Sequence, residues 1–188
     1  MRRTLLAAAL LVATLPALAG TKAFTPDTIH SRIGFTAKTL FKVEGAFTKY
    51  QVEISGDPDS LQDAKVKLVI DAASVNTDNE TRDNHLRSAD FFDAAKDPAI
   101  TFTSKHIWKQ DGHLMVGGTL EMHGVKKDLV IPFDLSTGKN GAGNDTWSYE
   151  GELKINRDDW GIGGADIVAK IGLKKEVTLD LQLVGFWH

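Results

Sequence analysis

Read in steps of two, the chain keeps returning apolar residues to one side. Ile33, Phe35 and Ala37 do so, then Val66, Leu68 and Ile70, then Leu114, Val116, Leu120 and Met122, then Trp147, Tyr149, Leu153 and Ile155. The last run is the cleanest: in EVTLDLQL, Val177, Leu179, Leu181 and Leu183 are aliphatic, while Glu176, Thr178, Asp180 and Gln182 are polar. A period of two is the signature of antiparallel strands with one wet face. AITFTSKHIW and VKKDLVIPF fit less cleanly and still predict strands. Between Phe41, Val43 and Phe47 and the next set, Tyr50, Val52 and Ile54, the phase slips. That slip predicts a bulge or strong bend near Phe47 to Lys49.

Turn signals punctuate these runs: SGDPDS, KDP, QDG, MHG and the loose STGKNGAGND. About eight strands result, joined mostly by short loops, with no internal repeat or linker to divide them. The pattern predicts an all-β chain, a single antiparallel barrel or sandwich. One segment departs from it. TDNE, from Thr77 to Glu80, reads as a capping box in which the threonine hydroxyl and the glutamate satisfy the first free amides of a helix. A short helix is expected over about 79–88, with little apolar surface of its own, pinned where Phe91 and Phe92 enter the core.

Composition changes the picture at the N-terminus. After Met1, Arg2 and Arg3 comes an apolar run from Leu5 to Leu15, and then LPALAG, whose Ala17 and Ala19 have the small-x-small spacing of a signal-peptidase site. The run is short of the ~20 residues that a spanning helix needs. Residues 1–19 are therefore expected to be a cleaved leader for the general secretory route to the periplasm, leaving 20–188 as one domain. Removing Arg2 and Arg3 takes the formal charge from −3 to −5, so nucleic acid is not an expected partner. With no cysteine, an exported chain has to rely on apolar burial.

Candidate chemistry is sparse. The six histidines form no H-x-H, H-x-x-H or H-x-x-x-H pair, so no metal site is expected. No nucleophile elbow appears. GIGGAD, Gly161 to Asp166, fails as a dinucleotide fingerprint and reads as a flexible loop with no helical pattern after it. Arg82, His85 and Arg87 could grip an anion, or could simply pair with Asp83, Asp90 and Asp93. An enzyme is not expected.

TRDNHLRSADFFD followed by DPAITFTS resembles the central motif of the YceI family of exported bacterial proteins, also called polyisoprenoid-binding proteins. PDTIHSRIGFTAK resembles that family's first strand, VEGAFTKYQVEI its bent second strand, GTLEMHGVKKDLVIPF its central hairpin and INRDDWGI its late asparagine-arginine turn. Thr39 stands where many members carry a histidine, so no head-group contact carries over at that position. The resemblance implies an eight-stranded antiparallel lipocalin-like barrel closed by the helix. It also implies an isoprenoid lipid, a polyprenyl phosphate or a quinone, bound for transport or storage in an apolar bore with no cofactor. Phe35, Phe47, Phe91, Phe92, Phe102, Phe133 and Trp160 are then expected in the cavity wall, and Arg82, His85 and Arg87 near the head group. Asn156 and Arg157 are expected to serve structure. The competing expectation is a filled barrel acting as a stress-response or interaction scaffold. A homodimer and a transient contact with a membrane surface are both compatible with the lipid reading.

Overall fold

The computed structural model describes residues 21–61 and 63–188, and the expected leader lies outside them. The strands are β1 (Lys22–Pro26), β2 (Arg32–Lys38), β3 (Lys42–Phe47), β4 (Tyr50–Gly56), β5 (Lys65–Asp71), β6 (Val75–Asn76), β7 (Ala99–Gln110), β8 (His113–Met122), β9 (Val125–Lys139), β10 (Asp145–Asn156) and β11 (Glu176–Trp187). Helix α1 (Glu80–Arg87) lies between β6 and β7, and α2 (Ile167–Gly172) between β10 and β11. Every pairing is antiparallel, and β1 pairing with β11 closes the sheet on itself.

Eleven strand segments make eight staves, because three staves are interrupted. β1 and β2 follow one another along β11, Pro26 opposite Gly185 and Arg32 opposite Gln182. β3 and β4 are one stave broken at Thr48 and Lys49, where the apolar phase slips. β5 continues into β6 through a 3-10 turn, Ala72–Ser74. The eight-stranded barrel expected from the family resemblance is the fold.

β6 pairs with β3, and the chain from α1 to β7 covers the upper barrel beside it. The helix forms where the sequence predicts, but with a different cap. Asn79, extended at φ −149°, accepts from the Arg82 amide at 2.9 Å. Thr77 instead lies two residues earlier, beyond the left-handed Asp78 (φ 59°). Its amide and hydroxyl both donate to the buried Asp83 carboxylate, at 2.9 and 2.5 Å. A second difference is α2, six residues where a loop was expected. Asp166 caps it by accepting from the Ala169 amide at 2.9 Å. So short a helix buries too little to imprint a 3.6-residue period.

Candidate functional site

Inward-facing side chains of every stave surround an apolar cavity of about 170 Å³. Phe35, Phe47, Phe91, Phe92, Phe102 and Phe133 stand in its wall. Trp160 does not: it is 3 % exposed, but packs outside the lining, with its indole N–H unpartnered. The family resemblance implied a wall position for Trp160, but β10 ends at Asn156 and the chain passes into a 3-10 turn, Arg157–Trp160, outside the alternation of the strand.

Glycines on neighbouring strands explain how so many rings share one bore. Gly45 is opposite Phe35 and Gly151 opposite Phe133, while Gly118 lies beside Phe102. A methyl group at any of the three would fall well inside van der Waals distance of that ring. Each ring therefore lies back over a bare stretch of backbone instead of projecting across the bore. The arrangement is invisible in a single strand, because each partner lies 10 to 18 residues away in sequence and pairs only once register is known.

At the lower end Phe24 meets Tyr149 and Trp187 edge-on, both with centroids 5.6 Å away, and the Trp187 indole donates to the Tyr149 hydroxyl at 3.0 Å. Burial pushes the Tyr149 phenol above its usual range, with the Trp187 hydrogen bond opposing it in part. At the upper end lie α1, the Phe91–Phe92 segment and α2. An ion pair from His85 Nε2 to Asp166 Oδ2, 2.9 Å, and the Gly163 amide bonded to the Asp90 carbonyl tie these parts together.

The three cations expected at a head group are brought to this end, but none lines the cavity. Arg82 donates to the hydroxyl and the carbonyl of Thr77, both at 2.7 Å. Arg87 donates to the carbonyls of Ala73 and Val75 and to Asn84. Neither pairs with Asp83 or Asp90 among the described residues. His85 stands edge-on to Phe91, a wall residue, with centroids 4.9 Å apart. Among the described residues the one charged side chain in the cavity wall is Arg157, 4 % exposed. Its guanidinium donates to the carbonyls of Ile162, Ala169, Leu173 and Lys174 and pairs with Asp158 at 3.1 Å. Arg157 thus fastens the 3-10 turn to α2. The Lys175 hydrogen bond, with the Arg157 charge behind it, holds the Asp158 carboxyl below its usual range despite some desolvation.

The fold also assembles two groups that spacing does not reveal: His85 with Asp90 and Asp166, and His123 with Asp93 and Asp97, each with ligand atoms within 4.8 Å of one another. His123 Nδ1 contacts the Trp160 carbonyl at 3.0 Å, and one Asp97 oxygen is buried without a partner.

Residues 24–184 match the YceI-like domain family. The chain belongs to that family. A UPF0312 protein of Vibrio campbellii is 36 % identical, with 98 % of each chain covered. Among solved structures, BcnA of Burkholderia cenocepacia superposes on the YceI-like barrel with a TM-score of 0.78 at 25 % identity, covering 86 % of this chain and all of its own. A polyisoprenoid binding domain from Saccharophagus degradans gives a TM-score of 0.64 over 87 % of this chain and 97 % of its own, and at 20 % identity it bears on the fold alone.

Proposed function

We propose that this YceI-like protein binds an isoprenoid lipid in its bore, a polyprenyl phosphate or an isoprenoid quinone, and carries or stores it in the periplasm without making or breaking a bond. The observation that carries this reading is the wall. Among the described lining residues only Tyr149 and Arg157 have polar side-chain atoms, and the Arg157 guanidinium is already bonded to four carbonyls. Such a space repels water and favours hydrocarbon, at about 0.8 kcal/mol for each methylene withdrawn from solvent. A cavity near 170 Å³ is the size that holds a small apolar ring. A longer prenyl chain enters by pressing aside the half-buried Leu86, Phe92 and Leu173 of the upper end. The competing reading of a filled scaffold requires a solid core, and the open volume weighs against it.

With no uncommitted cation in the wall, the head group is left near water. Of its three expected ligands, Arg82 and Arg87 are taken here as holding the lid. His85, packed on Phe91, is the one nearest a head group. The periplasmic setting is supported by the leader-like Met1–Ala19, and a carrier of this kind requires no cofactor. Leu120→Trp, which fills the bore from β8, tests the reading. Binding of an added polyprenyl phosphate or quinone, measured by native mass spectrometry, is expected to disappear while the circular dichroism spectrum stays native. Undiminished uptake would show that lipid binds elsewhere.

A further inference from the structure

We propose that the upper rim of the barrel is a docking surface for an anionic lipid bilayer. Among the described residues seven large apolar side chains are exposed, and four of them stand together here: Leu40 and Phe41 at the tip of the β2–β3 hairpin, Ile167 and Ile171 on α2. Leu40 is 103 % exposed and Ile171 84 %. Ile167 and Ile171 are four apart, so they share one face of their helix. The Lys174 amide donates to the Lys38 carbonyl at 2.8 Å, which fastens the α2 segment to the foot of the hairpin. Between them Ala37, Leu173 and Val177 line the cavity, so the apolar tips stand directly beside the bore.

Charge distribution names the partner. The chain is acidic overall, at −3, yet 38–42 and 167–175 carry Lys38, Lys42, Lys170, Lys174 and Lys175 and no carboxylate. Glu44 engages Lys42 and Asp158 engages Lys175, while Lys38, Lys170 and Lys174 form no ion pair among the described residues. Apolar tips set in a ring of lysines match a negatively charged interface, where the tips enter the acyl boundary and the lysine stems reach back to the phosphates. A second copy on this face would oppose the three unpaired lysines, Lys38, Lys170 and Lys174, with the same three, which works against a two-fold dimer here. The purpose of docking, exchange of lipid between bilayer and bore, rests on the function proposed above; the docking surface itself does not.

Co-sedimentation of the protein with vesicles of phosphatidylglycerol and phosphatidylethanolamine tests this. Binding is expected to weaken with added salt and to be absent on phosphatidylcholine alone. Leu40→Asp with Phe41→Asp, and separately Lys170→Glu with Lys174→Glu, should each weaken it about tenfold or more. Val130→Asp, on the outer face of β9, should leave it unchanged. No binding by the unmodified protein, or equal binding by all variants, would overturn the proposal. So would a dimer in sedimentation velocity that the same rim substitutions dissolve. Protein that docks but never takes up lipid would contradict the carrier reading alone, and protein that takes up lipid but ignores vesicles would contradict docking alone.

Discussion

Arg157 and Tyr149 are the two polar side chains in an otherwise hydrocarbon wall, and each is there because its polar atoms are satisfied locally. Arg157 spends its donors on backbone. Tyr149 accepts from Trp187. The tyrosine makes a pH prediction that is simple to read, because the chain has only Tyr50 and Tyr149, and burial raises both phenols. Above the unfolded value of about 10 the unfolded chain gives up protons that the native state retains. The tyrosine contribution to stability is therefore level below that pH and falls as pH rises from the unfolded value through the folded one. Ultraviolet titration should show both phenolates forming above the range seen in denaturant. Titration of either one at the unfolded value would contradict its burial. Phe35, Phe47, Phe102 and Phe133 take their inward phase from their own strands, whereas Phe91 and Phe92 lie in turns where no such phase exists. Spacing alone did not show that Arg82 would meet the hydroxyl and carbonyl of Thr77, or Arg87 the carbonyls of Ala73 and Val75, because that depends on how the turn before α1 folds.

The strands were legible because alternation is a property of each strand alone, and the bent stave was legible because its two halves are out of phase. α1 was legible from its cap-like start, although Asn79 rather than Thr77 is the cap. The structural reason is that the Thr77 hydroxyl is held by Asp83 and bonded by Arg82. What no single element shows is how closely two of them approach. A methyl at Gly118 would meet the Thr103 carbonyl of β7 as well as the Phe102 ring, whereas one at Gly45 meets only side chains, Phe35 and Thr77. Backbone yields less readily than a ring. Gly118→Ala is thus expected to cost about 2–3 kcal/mol, and Gly45→Ala about 1 kcal/mol, in urea unfolding. Gly45→Ala should also swing Phe35 into the bore and reduce lipid uptake. Equal losses at the two sites would show that the strands separate as easily as a ring turns.

For the whole molecule, closure is the decisive feature. β1 meets β11, so the barrel has no free edge around its lower ring, and the inward faces of eight staves become one enclosed surface. The upper end is completed by α1 through Phe92 and by the 3-10 turn through α2, joined by His85 to Asp166. That the bore is a place for a lipid is best tested by native mass spectrometry of the protein isolated from the cells that make it, with extraction of whatever accompanies it. A second mass is expected, present at one copy per chain, that yields an isoprenoid on extraction. A single ligand-free mass, unchanged after incubation with polyprenyl phosphate and with quinone, would contradict it.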